Sequence, residues 1–439
     1  MKYLFVACLL CLSVLSAVAK VPAMNKIRLT NNWEYLKGDL GGIWEAVRPA
    51  APGSSEAVPI WQPVTLPHCF NAEDAVDPDV NYYEGPGWYK TLLAIDNPYR
   101  NGRIVLDFDG AGQKTDVYVY TTHVGSHVGG YDSWNVDITD AVKAFLGSKD
   151  AKRFKGKVPL SIRCDNSRDL EMIPSDLADF NIYGGLYRYL NLVYLPEVSF
   201  EQIRLESSLS SNLKEGILKV KTSFYNPEDI RKADVTVSVY DADRKPVFSK
   251  TLEGILPLGD QLLAEMKIKN PVLWDVDVPQ LYTCELTVKT PDQTFTTEER
   301  FGFRHTEFKD KGPFFLNGKR LLLRGTHRHE DHAGVAQAMT EDMMRREMRM
   351  MKDMGVNFIR LGHYQQSEII LDLCDELGIL VWEEIPWCRG GLGGDVYKKQ
   401  ARRMLANMIV QHHNHPAVII WGLGNENDWP NDFNTFDKS

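Results

Sequence analysis

The spacing of apolar residues changes near Phe315, and this change limits the folds open to the chain more than any other feature. Downstream of that residue, four short apolar runs alternate with stretches of helical periodicity. Strands separated by helices pair in parallel, so the pattern favours an α/β barrel. The runs lie at 321–325, 356–360, 379–383 and 417–421, and the helical stretches lie at 340–354, 366–377 and 395–412.

A complete TIM barrel has eight strand–helix units and about 250 residues. The segment 306–439 contains four predicted strands with three predicted helices between them. Because four strands cannot close a cylinder, we predict the first half of a barrel and expect a further segment or chain to complete it.

The chain before residue 306 has a different pattern, in which short alternating runs are separated by Gly, Pro and Asn. Examples are the runs 103–108, 116–120, 217–221 and 235–240. Alternation with a period of two predicts antiparallel strands with one buried face. We therefore predict a jelly-roll domain over 20–196 and an immunoglobulin-like β-sandwich over 197–305. With the partial barrel over 306–439, the predicted fold class is multidomain, β plus α/β.

The charge and the N-terminal residues limit the partners and the location of the chain. The net charge is -9 and no basic run is present, so nucleic acid is not an expected partner. Lys2 precedes an apolar run that ends in Ala17-Val18-Ala19. This pattern predicts a cleavable signal peptide over 1–19 and a secreted or periplasmic protein. The run is shorter than the roughly 20 residues that a bilayer requires, so no membrane span is expected.

The cysteines do not form a disulfide framework. Removal of the predicted signal leaves Cys69, Cys164, Cys284, Cys374 and Cys388. An odd and scattered set, without the spacing of a zinc site, predicts buried free thiols.

The ends of the four predicted barrel strands are rich in His, Arg, Glu and aromatic residues. In barrel enzymes the residues at the C-terminal strand ends line the active site. Carboxylates supply acid and base, and aromatic faces receive pyranose rings, so these ends favour a sugar-cleaving site. The four stretches are 324–330 (RGTHRHE), 360–364 (RLGHY), 383–387 (EEIPW) and 421–427 (WGLGNEN).

Together these stretches and several upstream ones resemble the motifs of glycoside hydrolase family 2. The resemblance runs from about residue 26 to about residue 430, and its eight pieces occur in the order of the family. In the second and third domains five pieces carry it: 301–304 (FGFR), 316–319 (LNGK), 324–325 together with 329–330, Arg360 with His363-Tyr364, and 424–426. In the first domain three pieces resemble the sugar-binding jelly roll of the family: 85–89 (GPGWY), 129–131 (GGY), and 179–180 together with 183–188.

The resemblance implies a retaining glycoside hydrolase, which needs two carboxylates about 5 Å apart. Glu426 matches the general acid/base of the family. The family nucleophile is a Glu at the end of the seventh barrel strand, which would lie beyond Ser439. We therefore expect this chain alone to lack glycosidase turnover.

The same resemblance implies a set of residues that bind the sugar. Asn425 matches the residue that bonds the 2-hydroxyl group, and Arg360 matches the arginine that holds the nucleophile. His329 and His363 resemble pocket histidines that contact hydroxyl groups or the transition state. Asp179 matches a jelly-roll aspartate that reaches into the pocket.

The sequence leaves the substrate partly open. His363-Tyr364 resembles the galactosidase and glucuronidase branches of the family, and we expect terminal β-galactosides as substrates, with β-glucuronides as the alternative. A carbohydrate-binding protein without catalysis is the alternative from another class, and a homo-oligomer is left open. The magnesium ligands of the lactose-hydrolysing member correspond here to Cys388 and Gly390, so we expect no metal and no cofactor.

Overall fold

The structure is a computed structural model that describes residues 26–49, 59–175, 177–227, 231–389 and 393–427. Two predictions fall on other residues. The predicted signal peptide over 1–19 and the position of Gly390 both lie outside the described residues.

The first domain is a jelly roll built from two antiparallel sheets. One sheet has the strand order β1-β12-β6-β9, the other has the order β3-β2-β5-β10-β7-β8, and β4 pairs with β11. The strands are β1 (Lys26–Arg28), β2 (Trp33–Lys37), β3 (Gln62–Val64), β4 (His68–Cys69), β5 (Pro86–Leu93), β6 (Arg103–Phe108), β7 (Lys114–Val119), β8 (Thr122–Val128), β9 (Trp134–Asp137), β10 (Val158–Asp165), β11 (Gly185–Leu186) and β12 (Leu190–Leu195). Side chains from both sheets meet in one core, where Phe108 stacks on Trp134 with ring centroids 4.0 Å apart.

Short helices join these strands, and the sequence analysis did not predict them. They are α1 (Trp44–Val47), α2 (Thr139–Leu146) and a 3-10 helix (Lys149–Phe154). In α2, Val142 and Phe145 reach into the core of the jelly roll. The helix is only eight residues long, so it shows too few repeats for its period to be recognised in the sequence.

The second domain is the predicted sandwich of seven strands. A sheet of order β13-β14-β17 packs against a sheet of order β16-β15-β18-β19. The strands are β13 (Ser199–Leu209), β14 (Glu215–Tyr225), β15 (Ala233–Tyr240), β16 (Pro246–Ile255), β17 (Gly259–Lys269), β18 (Tyr282–Lys289) and β19 (Thr294–Phe301). In β14 buried residues alternate with more exposed ones along the whole strand, which is the pattern of a sheet with one face on the core.

The third domain contains four parallel strands in the order β23-β24-β25-β26, with helices between them. A small antiparallel sheet precedes it, formed by β20 (Thr306–Phe308), β21 (Phe314–Leu316) and β22 (Lys319–Arg320). The barrel elements are β23 (Gly325–Arg328), α3 (Glu341–Asp353), β24 (Phe358–Leu361), α4 (Glu368–Leu377), β25 (Leu380–Glu384), α5 (Asp395–His412) and β26 (Val418–Gly422). The fold class predicted from the sequence, including the first half of a TIM barrel, is confirmed.

The first barrel strand lies later in the chain than predicted. The apolar run 321–325 was expected to form it, but the strand begins only at Gly325, where it pairs with Phe358. The chain just before the run is held by the antiparallel pairing of Arg320 with Phe315. Leu322 is consequently 69% exposed, so the prediction of a buried strand over this run is wrong.

The sandwich is fixed to the barrel through Trp274 and the neighbouring segment 301–304. The buried indole of Trp274 donates to the backbone carbonyl of Asp375 at 2.9 Å. Arg304 donates to the backbone carbonyls of Pro416 and Val418, the latter at 2.6 Å. A Cβ on Gly302 would lie 2.8 Å from the Cβ of Trp274, so glycine permits this close approach. These contacts explain why this motif sits between the two domains.

Two further expectations concern thiols and membranes. The five cysteines outside the predicted signal are free and buried, as predicted. Among the described residues, no helix is long and apolar enough to cross a membrane.

A buried ion pair between α4 and the turn before β26 generates a testable dependence of stability on pH. His415 Nδ1 lies 2.7 Å from Asp375 Oδ2. Burial lowers the pKa of His415, but the charge and hydrogen bond of Asp375 outweigh burial and raise that pKa to about 9. The raised pKa means that the pair stabilises the folded state most below pH 6.5 and loses this contribution as the pH rises through about 9.

We therefore expect the free energy of unfolding of the wild type to exceed that of His415→Gln by an amount that shrinks with rising pH. The change should be roughly 3 kcal/mol over this interval, since one pKa unit corresponds to about 1.4 kcal/mol. Urea unfolding at a series of pH values measures the difference. A difference that stays constant with pH would contradict the assignment.

Candidate active site

The jelly roll is held over the barrel mouth by a buried ion pair. Arg188, just before β12, donates from Nε and Nη2 to Glu330 Oε2 at 3.0 and 2.7 Å. Glu330 follows β23, so the pair joins the first domain to the third. Arg188 also donates to the backbone carbonyls of Tyr131 and Gln365, each at 2.7 Å. The side chains of the pair are only 2% and 1% exposed, so both charges depend on these partners.

The carboxylate of Glu330 is held in its charged form. Burial alone would raise its pKa, but the charges of Arg188 and Arg328 and the hydrogen bond from the backbone of Ser367 hold the pKa below its usual value. The Ser367 amide donates to Glu330 Oε1 at 2.7 Å, and Gln337 donates to Oε2 at 3.2 Å. Glu330 is therefore a structural carboxylate with its oxygens already occupied.

Aromatic rings fill the rest of this domain contact. Tyr131 of the jelly roll stacks on Tyr364, which follows β24, with centroids 4.3 Å apart. Phe180 lies edge-on to Tyr364 at 5.1 Å and tilted against His329 at 5.8 Å. The stretch that carries Asp179 is thereby brought against the barrel mouth.

The loops that follow β25 and β26 are joined backbone to backbone. Asn425 N donates to the carbonyl of Trp387 at 2.8 Å, and Arg389 N donates to the carbonyl of Asn425 at 2.9 Å. These bonds flank a bridge between Cys388 and Asn425. They fix the position of the next residue, Glu426, whose φ is 52°.

Asp179 and Glu426 meet at one guanidinium group. Arg389 Nε lies 3.4 Å from Asp179 Oδ2 and 3.2 Å from Glu426 Oε2. The Cys388 thiol donates to Asp179 Oδ1 at 3.3 Å. Burial raises the pKa of Cys388 to about 11, so the thiol keeps the proton that it donates. The predicted jelly-roll residue and the predicted acid/base thus lie side by side, and the Glu426 side chain is 60% exposed.

A second cluster lies around the buried carboxylate of Glu384 at the end of β25. Arg360 donates from Nη2 to Glu384 Oε1 and Oε2, both at 2.9 Å, and His363 Nδ1 lies 2.8 Å from Oε1. Arg360 Nη2 also donates to Asn425 Oδ1 at 3.0 Å. Glu384 therefore positions Arg360 and His363 directly, and Arg360 in turn positions Asn425.

His329 lies next to this cluster and is held neutral. Burial, and after it the neighbouring imidazoles of His327 and His363, lower its pKa to about 4. The three rings lie with centroids 4.8 to 5.4 Å apart. A neutral imidazole can donate and accept one hydrogen bond each, which suits contact with a sugar hydroxyl group.

The other glutamates that end the barrel strands are all engaged. Glu330 is paired with Arg188, Glu383 lies 2.8 Å from His412 Nδ1, and Glu384 is paired with Arg360. Among the described residues of these strand ends, Glu426 is the glutamate that stands at the surface of the site. The arrangement offers one carboxyl group for proton transfer, in a pocket lined by imidazoles, an amide and an aromatic ring.

The structure thus brings the predicted residues into two adjoining groups. Asp179 and Glu426 meet at Arg389, whereas His329, Arg360 and His363 gather near Glu384, and Asn425 contacts both groups. Sequence reasoning missed Arg389 and His327. His327 could have been predicted as a site residue from His329. Side chains two residues apart along an extended segment lie on the same face, so His327 and His329 face the same side. Arg389 follows a loop with no periodic signal.

Comparisons with known proteins agree with this architecture. Residues 40–196 match the model of the glycosyl hydrolases family 2 sugar binding domain, and 198–304 match glycosyl hydrolases family 2. Residues 307–438 match the TIM barrel domain of that family. These matches cover most of the chain in the order of the observed domains, and the chain belongs to glycoside hydrolase family 2.

Individual relatives include enzymes with two specificities. A solved structure of Parabacteroides merdae β-glucuronidase with glycerol in its active site is 98% identical over 95% of this chain and 53% of that chain, with a TM-score of 0.93. A β-glucuronidase of Bacteroides fragilis is 32% identical over 83% of this chain and 53% of its own length. A β-galactosidase of Thermoanaerobacter pseudethanolicus is 28% identical over 89% of this chain and 50% of its own length. The chain spans about half the length of the curated relatives it matches.

The three neighbouring imidazoles generate a prediction for His329. We expect its ring to stay neutral as the pH falls well below 6.5 and to titrate near pH 4, because it is buried and faces two other rings. In His327→Gln the midpoint should move upward, since one source of repulsion is removed. NMR titration of the ring resonances measures both midpoints. A wild-type midpoint near the ordinary value would show that the cluster is open to water.

Proposed function

We propose that this chain carries the sugar-binding and acid/base part of a retaining β-glycosidase. Glu426 donates a proton to the departing glycosidic oxygen and later removes a proton from water. The observation that carries the proposal is the meeting of Asp179, Asn425 and Glu426 at one site, although they come from two domains. Arg389 holds Glu426 at 3.2 Å, so the carboxyl group must leave this ion pair before it protonates the substrate.

The binding residues have separate proposed roles. Asn425 is held by Arg360 through its carbonyl oxygen, which leaves its amide group directed at the Cys388 sulfur and available to a sugar 2-hydroxyl group. His329, as a neutral ring, contacts a further hydroxyl group of the sugar. His363 contacts another. Asp179 accepts hydroxyl hydrogens once Arg389 has moved.

We propose β-glucuronides as the substrates, in place of the β-galactosides expected from the motifs. The motifs are common to both branches, whereas similarity over almost the whole chain supports the glucuronidase branch. The Parabacteroides merdae β-glucuronidase is 98% identical, and a Bacteroides uniformis β-glucuronidase is 60% identical over 94% of the chain. β-Galactosides remain the second candidate because the family also contains β-galactosidases at 28% and 30% identity.

We further propose that the 439-residue chain alone has no turnover. A retaining enzyme requires a second free carboxylate close to the acid/base. The strand-end glutamates other than Glu426 are buried and paired with cations or histidine.

We also propose that residues 1–19 direct export of the protein. Detection of the mature N-terminus in the extracytoplasmic fraction tests this proposal.

Hydrolysis of p-nitrophenyl β-D-glucuronide and p-nitrophenyl β-D-galactoside tests these proposals. The 439-residue chain should release nitrophenol from neither compound. A chain completed to the length of the matched Parabacteroides merdae chain should prefer the glucuronide, and its Glu426→Gln variant should lose at least about a hundredfold in rate, the usual contribution of a general acid.

Glu307→Gln is a matched control, because Glu307 is a half-exposed glutamate of β20 that pairs with Lys309 outside the site, and it should leave the rate unchanged. Preference of the completed chain for the galactoside would overturn the substrate assignment. Hydrolysis by the 439-residue chain that disappears in Glu426→Gln would overturn the claim of no turnover. An inactive completed chain that still binds sugar would support the alternative of a carbohydrate-binding protein.

A further inference from the structure

The barrel mouth contains a cluster of three histidines whose geometry resembles a metal-binding site. His327 lies in β23, His329 follows it, and His363 follows β24. One ring nitrogen of each residue lies within 4.8 Å of the others. In a tetrahedral zinc site the nitrogen atoms are about 2.0 Å from the metal and therefore about 3.4 Å from one another. Movements of roughly 1 Å would close the cluster around an ion.

Two of the rings are already oriented by hydrogen bonds on their other nitrogen. His363 Nδ1 lies 2.8 Å from Glu384 Oε1, and a carboxylate can only accept here, so Nδ1 carries the hydrogen and Nε2 is free. His329 Nδ1 lies 3.3 Å from the Tyr364 hydroxyl oxygen, a contact that orients the ring and whose donor is set by the tautomer of His329. A carboxylate behind a histidine is the usual outer support of a protein metal ligand.

The third ring is held by close packing. A Cβ built on Gly362 would lie 2.9 Å from His327 Cε1 and 3.0 Å from Glu384 Oε1. The glycine therefore allows His327 to approach the carboxylate and the His363 ring. His327 is exposed, so an ion can reach the cluster from solvent.

The two charged side chains next to the cluster offset one another. The nearby cation Arg360 opposes an added positive charge, but Glu384 binds it through both oxygens and compensates that charge.

A second histidine-containing group within the described part of the chain is a weaker candidate for metal binding. Asp372, Asp375 and His415 also lie close together. There, Arg300 pairs with Asp372, and the Ala417 amide and His415 occupy the two oxygens of Asp375. Its carboxylate oxygens already bind Arg300, His415 and the Ala417 amide, so they are occupied by contacts within the fold.

We propose that His327, His329 and His363 bind a divalent transition-metal ion of the zinc type, with water as the fourth ligand. Three imidazoles with an open fourth position form a common zinc arrangement, and nitrogen ligands exclude magnesium and calcium. His329 and His363 are also the proposed sugar contacts, so the ion occupies the sugar subsite and inhibits binding there. Only this last consequence rests on the proposed function.

Metal binding is tested without any sugar. The untagged 439-residue chain is treated with a chelator and dialysed against Zn²⁺, and the bound metal is counted. Co²⁺ serves as a second probe, because its visible spectrum reports tetrahedral nitrogen coordination. We expect one ion per wild-type chain. His327→Gln and His363→Gln should each weaken binding by at least about tenfold, since even supporting residues of metal sites have effects of that size.

His305→Gln is the control, because His305 is an exposed histidine outside the cluster. It should bind Zn²⁺ as the wild type does. Circular dichroism and the melting temperature establish that each variant is folded. If His363→Gln unfolds, His327→Gln decides the outcome, because the His327 ring is exposed.

Absence of bound Zn²⁺ in the wild type would overturn the proposal, as would unchanged affinity in His327→Gln or equal weakening in His305→Gln. A separate titration with D-glucuronate tests the overlap of the two sites. Zn²⁺ should lower the affinity for the sugar at least about tenfold in the wild type. Zinc binding that leaves sugar binding unaffected would keep the metal site and remove only the inhibition. Failure to bind any sugar would count against the proposed function and leave the metal site standing.

Discussion

The buried ion pair between Arg188 and Glu330 is the interaction on which the site depends. It lies where the jelly roll meets the barrel, and both charges are almost fully removed from water. A buried ion pair is stable only when its remaining hydrogen-bonding groups also have partners. Here the guanidinium group of Arg188 also donates to backbone carbonyls, and the Ser367 amide donates to the second oxygen of Glu330. Because the stretch with Asp179 leads directly into Arg188, fixing Arg188 also fixes the jelly-roll contribution to the pocket. From the barrel side, the joined loops after β25 and β26 bring Glu426 to the same place.

Much of the fold was predictable because it depends on local periodicity. The helix over 395–412 has the predicted bounds, and Thr340 caps α3 through its hydroxyl oxygen. The start of β23 was not predictable, because pairing of Arg320 with Phe315 decides where the parallel sheet begins. In the site, motifs indicated Asp179 and Glu426, but no motif predicted that Arg389 lies between them. That contact arises from two loops of different strands, whose relative position only the folded chain defines.

The motifs also leave the substrate specificity undecided. His363-Tyr364 and Asn425-Glu426 resemble motifs that galactosidases and glucuronidases share, so these motifs do not separate the two substrate classes. Similarity over about 95% of the chain relates it to β-glucuronidases at 98% and 60% identity, and the proposal of glucuronides rests on that similarity. The histidine cluster shows a further property of the pocket, since one ring nitrogen of each proposed sugar contact lies within 4.8 Å of a ring nitrogen of His327.

A double-mutant cycle of Arg188→Met and Glu330→Gln tests the central claim most directly. The free energy of unfolding is measured by urea titration for the wild type, both single variants and the double variant. If the buried pair joins the two domains, each single change should cost about 3–5 kcal/mol, because it leaves a buried partner uncompensated. The double variant should then cost little more than either single one, which gives a coupling energy of several kcal/mol. Single costs that simply add in the double variant would contradict the account, since the two side chains would then stabilise the chain independently.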